Sequence, residues 1–286
     1  MNTDEFMAKF EIQRKTINLS QIQLSYLEWG EGEPVLLLHG LADHALVWAS
    51  LGEYLANSYH SVAPDIRGHG ESSKPETGYR SADIIADLEG LMDSLGWNSA
   101  HIVAHSWMAK VACVWAKLQP QRFRSLVLVD PFFIGKMPSF AKVTFPFFYK
   151  VLPFLKCMGP FADYAAAENL ARQLKQYKGW SPLQAAVFQG GMEEKKDGTW
   201  GSKFVVQARN EVFEDVMLVA GLTESLEVKT LLLLPEQGLN RSEFQFKPFR
   251  TYLINLTMQK IPGNHWAFLV EPDAFNHAVK EFLKSF

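Results

Sequence analysis

The sequence has few cysteines, no excess of positive charge and no cluster of metal ligands. Only Cys113 and Cys157 occur in 286 residues, and both stand among apolar residues, which predicts buried thiols in a reducing compartment and no disulfide framework. The 28 Lys and Arg residues against 31 Asp and Glu residues give a net charge of −3, so no nucleic-acid partner is expected. Because metal-ligand spacings and the glycine patterns of nucleotide sites are missing, we expect neither a metal nor a cofactor.

Long apolar runs are also missing, which excludes an ordinary membrane span. A span needs about 18 uninterrupted apolar residues, and the nearest approach is the segment 143–161. Five residues interrupt that segment: Pro146, Lys150, Pro153, Lys156 and Pro160. Residues 1–10 contain Asp4 and Glu5 and no continuous apolar run, so we predict no secretory signal and a cytoplasmic location.

What the sequence does contain is a series of short apolar runs separated by helical patterns. The runs lie at 22–28, 35–38, 61–63, 101–104, 126–129, 230–234 and 256–261. Several lack period-two alternation, as is typical of strands covered on both faces. The clearest helical pattern covers 81–95, with Ser81 as its N-cap and Gly96 as its stop. This alternation predicts an α/β protein with a mostly parallel, doubly wound sheet.

The alternation stops at residue 132, where the sequence becomes helical, aromatic and rich in proline. It resumes near residue 228, so we predict a core formed by 1–131 and 228–286 and an inserted helical cap at 132–227. The first part of this cap is dense in aromatic residues: Phe132, Phe133, Phe140, Phe145, Phe147, Phe148, Tyr149 and Phe154. Three roles stay open for them, namely packing inside the cap, lining an apolar pocket, and transient contact with lipid.

The candidate chemistry begins at Ser106, where an apolar run ends and a helix-compatible run starts. A strand-to-helix turn at this point would present a nucleophile. His39-Gly40 lies upstream and Asn264-His265 lies near the C-terminus. Because a hydroxyl is a poor nucleophile until a base removes its proton, His265 is the best-placed candidate for that base.

Four segments, in the same order and spacing, resemble the α/β-hydrolase superfamily. They are His39-Gly40, Asp65-Ile66-Arg67-Gly68-His69-Gly70-Glu71-Ser72, the elbow around Ser106, and Pro262-Gly263-Asn264-His265 with the acidic helix start after it. The resemblance covers nearly the whole chain apart from the predicted cap. It implies an α/β-hydrolase fold in which Ser106 attacks an acyl carbonyl and His265 shuttles the proton. The oxyanion would be held by the backbone N–H groups of Leu41 and Trp107.

The elbow departs from the family pattern G-x-S-x-G, because Ala104 and Met108 stand where the glycines belong. A long side chain at Met108 must find space that glycine would leave free, so we expect a reshaped turn. Ser106-Trp107 is similar to the dipeptide at the nucleophile of haloalkane dehalogenase and epoxide hydrolase relatives, where Asp replaces Ser. Ser106 therefore excludes their carboxylate-alkyl mechanism.

The acid that orients His265 is not at its usual place. The family position, after the strand at 230–234, is occupied by Gly238 in the run Pro235-Glu236-Gln237-Gly238. Some relatives take the acid from the end of the strand after the elbow helix, where this chain has Asp130. We therefore predict Asp130, with Glu236 as the alternative. The residues predicted to line the substrate pocket are His105, Phe132, Phe133 and Trp266, with His105 as a packing or hydrogen-bonding partner.

The sequence thus predicts a serine hydrolase that cleaves an ester or lactone of a small lipophilic carboxylic acid. One alternative is hydrolysis of a carbon–carbon bond in a β-diketone-like substrate, which uses the same three residues. A second is a non-hydrolytic ligand-binding homologue, which the irregular elbow around Ser106 and the displaced acid would explain. The natural substrate, the effect of Met108 on turnover and the oligomeric state stay open.

Overall fold

A mixed sheet of eight strands organises the computed structural model, which describes residues 3–9, 12–145, 147 and 152–286. In chain order the strands are β1 (Gln13–Asn18), β2 (Gln23–Trp29), β3 (Glu33–Leu38), β4 (Tyr59–Pro64), β5 (Ala100–His105), β6 (Phe123–Val129), β7 (Met192–Glu194), β8 (Trp200–Ser202), β9 (Thr230–Gln237) and β10 (Leu256–Asn264). The sheet has the order β1-β2-β4-β3-β5-β6-β9-β10, and β7 and β8 form a separate antiparallel pair. Only the β1–β2 and β2–β4 pairs of the large sheet are antiparallel.

Helices cover both faces of the sheet. They are α1 (Thr3–Lys9), α2 (Ala49–Leu55), α3 (Ser81–Ser94), α4 (Trp107–Leu118), α5 (Tyr164–Ala171), α6 (Pro182–Gly190), α7 (Val206–Leu218), α8 (Glu243–Tyr252), α9 (Ala267–Val270) and α10 (Pro272–Leu283). Alternate side chains of β3 enter two different apolar cores, since Leu36 and Leu38 pack with α3 and α4 whereas Val35 and Leu37 pack with α2 and α10. The predicted doubly wound, mostly parallel sheet is confirmed.

The sequence located the buried strands better than the exposed one. Each of the seven predicted runs falls on a strand of the large sheet. The run 22–28 begins one residue before β2, and the other six runs lie within the bounds of their strands. β1 was not predicted, because it is an edge strand of polar residues, QRKTIN, with mostly exposed side chains. Such a strand gives no apolar signal and is held by its ladder to β2.

Helix α3 ends as predicted but begins differently. Gly96, with a φ of +72°, follows the helix as its stop. The N-cap is Arg80 and not Ser81, whose backbone N–H and hydroxyl both donate to the Asp215 carboxylate. The prediction for Ser81 was wrong because a partner distant in sequence takes the hydroxyl that would otherwise cap its own helix.

The connection between β6 and β9 carries α5, α6, α7 and the β7–β8 pair, and its described residues add no strand to the large sheet. Phe148 and Tyr149, two of the predicted cap aromatic residues, lie outside the described residues. No helix in the described ranges is long and apolar enough to cross a membrane. Cys113 is buried and Cys157 half-buried, both are free thiols, and burial raises the pKa of each to about 12.

Candidate active site

Ser106 stands on a sharp turn between β5 and α4. Its φ of 58° and ψ of −119° lie in a region that non-glycine residues rarely occupy. The turn is fixed by backbone bonds from the Ser106 N–H to Val129 O at 3.0 Å and from the Phe132 N–H to Ser106 O at 3.1 Å. Met108 is fully buried in the core beneath this turn, so the long side chain has found space and the strained conformation is kept.

A chain of hydrogen bonds joins the three side chains that the sequence singled out. His265 Nε2 lies 3.0 Å from Ser106 Oγ, and His265 Nδ1 lies 2.7 Å from Asp130 Oδ2. Because the ionised carboxylate only accepts, Nδ1 carries the proton of a neutral ring and Nε2 is left to accept from the Ser106 hydroxyl. The arrangement can therefore move a proton from Ser106 to His265 while Asp130 fixes the tautomer.

Asp130 is fully buried and is surrounded by donors from the loop after β9. Oδ2 also accepts from the Leu239 N–H at 2.8 Å, and Oδ1 accepts from Asn240 Nδ2 at 2.9 Å and from the Asn240 N–H at 3.3 Å. Burial alone would raise the pKa of Asp130, but the bond from His265 and these donors lower it below its usual value. The carboxylate is consequently held in its ionised form.

Gly238 explains why the acid has moved. A Cβ on Gly238 would stand 2.7 Å from Asp130 Oδ2, closer than a Cβ comes to a non-bonded atom in folded proteins. A carboxylate from the end of β6 thus fills the space next to His265, and a side chain at Gly238 would clash with it. Glu236, the alternative acid, is exposed, and its side chain makes no described contact with His265.

The two residues predicted to supply the oxyanion donors line the same cavity as Ser106. Leu41 follows the His39-Gly40 turn, Trp107 follows Ser106, and both residues line the cavity above the serine. Within the described ranges neither N–H donates to a protein acceptor. Gly40 allows the turn before Leu41 to lie against His105, because a Cβ at Gly40 would stand 2.5 Å from His105 Nδ1. Unused donors beside a hydroxyl are what stabilisation of an oxyanion requires.

His105 contacts both the backbone and the ring of His265. Its Nε2 donates to His265 O at 2.9 Å, and its ring centroid lies 4.4 Å from that of His265. Burial and the neighbouring His265 hold the pKa of His105 well below its ordinary value, so the ring is neutral at physiological pH. The structure gives His105 the hydrogen-bonding position predicted for it.

The cavity above Ser106 has a volume of about 440 Å³ and mostly apolar walls. Of the four predicted lining residues, His105, Phe132 and Trp266 line it. Phe133 does not, which corrects that prediction. The backbone at Phe133 has a φ of +38° and turns outward, so the side chain is 38% exposed. The centroid of its ring lies 5.2 Å from Lys110 Nζ. Among the described residues no group of three or more His, Cys, Asp or Glu could hold a metal ion.

The comparisons with known proteins agree with this architecture. The model of the alpha/beta hydrolase fold family matches residues 33–188, which is more than half of the chain. The chain belongs to the alpha/beta hydrolase fold family. Its sheet order, the turn at Ser106 and the loop after β9 are therefore parts of an α/β-hydrolase scaffold.

Individual relatives are more distant. Epoxide hydrolase 3 of Siraitia grosvenorii is 34% identical over 132 residues, which cover 45% of this chain but only 42% of that relative. The serine hydrolase-like protein of Danio rerio is 24% identical over 90% of this chain and 83% of its own. The solved structure of E-2-(acetamidomethylene)succinate hydrolase superposes with a TM-score of 0.79 at 24% identity and covers 96% of this chain and 99% of its own.

Sequence reasoning missed the residues that bind Asp130 and one that lines the cavity. Leu239 and Asn240 follow Gly238 in a loop that has no sequence motif. The one signal for them in the sequence is Gly238 itself, which stands where the resemblance predicts the acid. Asp43, four residues after His39, lines the cavity and is buried. An acidic residue in a short turn otherwise reads as a solvated loop residue.

Proposed function

We propose that this α/β-hydrolase cleaves an ester or lactone of a small lipophilic carboxylic acid through an acyl-enzyme on Ser106. The observation that carries the proposal is the unbroken hydrogen-bond chain from Ser106 Oγ through His265 to Asp130 Oδ2. The apolar walls of the cavity above it support a lipophilic acyl group. The two free thiols support work in a reducing compartment such as the cytoplasm.

In the proposed reaction Ser106 Oγ attacks the carbonyl carbon while His265 Nε2 takes the hydroxyl proton. The oxyanion accepts hydrogen bonds from the N–H groups of Leu41 and Trp107, and collapse of the intermediate expels the alcohol with the proton that His265 returns. Water, activated by His265, then releases the acid and restores Ser106. Asp130 stays ionised throughout and stabilises the imidazolium of His265 at each transfer.

The test is hydrolysis of 4-nitrophenyl esters with acyl chains of increasing length. We expect a burst of nitrophenolate from acylation of Ser106, followed by slower turnover, and no burst from Ser106→Ala. Product analysis separates ester cleavage from cleavage of a carbon–carbon bond in a β-diketone. Absence of hydrolysis of all these substrates, with ligand binding unchanged in Ser106→Ala, would contradict the proposal and favour a binding protein.

We further propose that the connection 132–227 acts as a cap over Ser106. Three of its residues support this, because Leu152, Gln176 and Phe213 all line the cavity. Phe145 is buried and packs edge-on against Phe213, with ring centroids 5.1 Å apart. The inner face of the connection is thus part of the pocket wall and would select the acyl group.

The outer face of the same connection supports transient contact with an anionic lipid surface. Phe140 and Val143 are 81% and 82% exposed. The segment 132–161 contains four lysines and no acidic residue, in a chain whose net charge is −3. Exposed apolar side chains among lysines suit a membrane interface that carries negative charge.

Lipid contact is tested by co-sedimentation with vesicles of phosphatidylcholine, with and without phosphatidylglycerol. We expect binding to the anionic vesicles only, and its loss in Phe140→Ser/Val143→Ser. Phe244→Ser is the matched control, since Phe244 is 87% exposed on α8 beside the acidic Glu243. We expect each variant to hydrolyse a soluble ester as the unaltered chain does. Equal vesicle binding by all three proteins would contradict lipid contact through this face.

A further inference from the structure

Asp43 is a buried carboxyl group that the proposed reaction does not use. It stands two residues after Leu41, in a turn closed by a bond of 3.3 Å from its N–H to Gly40 O. The residue is 9% exposed and lines the cavity above Ser106. Asp43 is therefore part of the wall of the space that an acyl group would occupy.

Among the residues that the structure describes, a single side chain donates a hydrogen bond to Asp43. Oδ2 accepts from Trp266 Nε1 at 3.2 Å. The nearest nitrogen of His105 is Nδ1, at 3.7 Å from Oδ2. Since His105 Nε2 donates to a carbonyl oxygen in a neutral ring, Nδ1 carries no proton to offer. Oδ1 of Asp43 accepts no hydrogen bond from any described residue.

A neighbour in the same cavity shows the contrast. Asn264 also lines the cavity, but its Nδ2 donates to Lys175 O at 2.9 Å and its Oδ1 accepts from the Trp266 N–H at 2.9 Å. Both polar ends of Asn264 are thus used by the protein. Oδ1 of Asp43, in contrast, has no partner among the described residues, and a carboxylate with a single donor in a mostly apolar cavity favours a second donor. Burial accordingly raises the pKa of Asp43 above its ordinary value.

We propose that Asp43 Oδ1 binds a hydroxyl or N–H group that the substrate carries close to its scissile carbonyl. The inference rests on the proposed function and narrows its substrate class. Because Asp43 is two residues from the Leu41 N–H that would hold the oxyanion, the donor belongs on carbon 2 or carbon 3 of the acyl chain. The substrate is then a lipophilic acyl ester with one polar donor near the carbonyl, and not a plain fatty ester.

The test compares three 4-nitrophenyl esters of one chain length. These are the hexanoate, its 2- or 3-hydroxy derivative and the matching methoxy derivative, which accepts but cannot donate. A hydrogen bond to a charged acceptor contributes roughly 1.5–3 kcal/mol, so we expect kcat/KM to favour the hydroxy ester over the hexanoate by about 10-fold to 100-fold. The methoxy ester should be the poorest of the three.

Asp43→Asn should change which of the three esters is poorest. Trp266 Nε1 still needs an acceptor, so the amide oxygen of Asn would face Trp266 and its NH₂ group would face the cavity. The methoxy ester should then exceed the hexanoate, whereas Asp43→Leu should treat the hydroxy ester no better than the hexanoate. Glu224→Gln, the same change of carboxylate to amide at an exposed position, should keep the preference of the unaltered chain.

Two results would overturn the inference. One is an unchanged preference among the three esters in Asp43→Asn, and the other is an equal loss on all three, which would make Asp43 a positioning residue. If the unaltered chain hydrolyses none of them, the proposed function fails, and Asp43 is then judged by binding alone. In Ser106→Ala the hydroxy methyl ester should raise Tm more than the plain methyl ester, and Asp43→Leu in that background should abolish the difference.

Discussion

At the scale of single residues, the candidate site depends on how Asp130 is held. Four hydrogen bonds converge on its carboxylate, one from His265 and three from the loop after β9. Three of these donors would stay in place if His265 moved, so the carboxylate is oriented before any substrate arrives. Such preorganisation is what allows an acid to fix the tautomer of a histidine.

Asp130→Asn should therefore depress kcat by about 10⁴-fold, because an amide at this position holds His265 in the wrong tautomer. Ester hydrolysis measures the activity of the variant, and a melting curve shows whether it is folded. Glu236→Gln is the matched control and should keep activity, since Glu236 is exposed. A severe loss in Glu236→Gln with little change in Asp130→Asn would transfer the role to Glu236.

Gly238→Ala should lower kcat without unfolding the protein. The added Cβ would stand 2.7 Å from Asp130 Oδ2, so the carboxylate must shift away from His265. Gly135→Ala provides the control, because a Cβ at Gly135 meets only ordinary contacts with Phe133 at 3.7 Å or more. If both variants keep full kcat, the fit between Gly238 and Asp130 does not matter for the reaction.

At the scale of secondary-structure elements, Lys110 joins the elbow helix α4 to the connection above it. The residue is 2% exposed, and its Nζ donates to Phe133 O at 3.0 Å, to Gly135 O at 2.6 Å and to Val216 O. These carbonyls belong to the start of the connection and to α7. One side chain thus connects the start of the connection 132–227 and α7 to α4, the helix that follows Ser106.

Lys110→Met should destabilise the protein by about 2–4 kcal/mol, because buried carbonyl groups lose their donor. Urea unfolding gives the free energy, and limited proteolysis shows whether the connection is cut first. Lys117→Met, on the same helix but only half-buried and with its Nζ 3.4 Å from Thr223 Oγ1 at the surface, should change little. Equal stability of the two variants would show that the connection is held by its apolar contacts alone.

The elements that the sequence predicted are those whose signal is local. Buried strands such as β5 and β6 show as apolar runs, and the period of α10 places Phe275, Val279 and Leu283 on its buried side. The edge strand β1 and the short β7–β8 pair have no such run. The N-cap of α3 was misplaced because Asp215, far away in sequence, binds Ser81. Contacts of that kind exist only after folding.

At the scale of the whole molecule, Asp65 joins parts of the chain that are distant in sequence. It is fully buried and accepts from Arg14 of β1 at 2.7 Å, from the Ala45 N–H at 2.7 Å and from the Glu71 N–H at 2.9 Å. Burial alone would raise the pKa of Asp65, but Arg14 and these donors lower it to about 2. Asp65 therefore stabilises its own turn through the Glu71 N–H and holds the edge strand β1 through Arg14.

This lowered pKa makes stability depend on pH in a defined direction. Because the unfolded chain binds the proton more tightly, the contribution of Asp65 is complete above about pH 4 and is lost as pH falls towards 2. It amounts to roughly 2 kcal/mol. Urea unfolding from pH 5 to pH 2 should show this decline, and Asp65→Asn should be less stable at pH 5 with a smaller decline. Parallel curves for both proteins would contradict the assignment.

The assembly of the site could be predicted at this scale only in outline. Asp130 was predicted from the resemblance to relatives whose acid follows this strand, and Ser106 and His265 were predicted from the order of motifs. What the sequence could not give was the outward turn of Phe133, the donors from Asn240, or the unused oxygen of Asp43. Each depends on which side chain fills the space left by another.

The most direct test of the central claim is labelling with a fluorophosphonate, followed by mass spectrometry of the peptides. The account predicts one stoichiometric adduct on Ser106, greatly slowed labelling in His265→Ala, and none in Ser106→Ala, because the phosphorus centre captures only an activated hydroxyl. Folded protein that forms no adduct, or forms it on another serine, would contradict the assignment of Ser106 as the nucleophile.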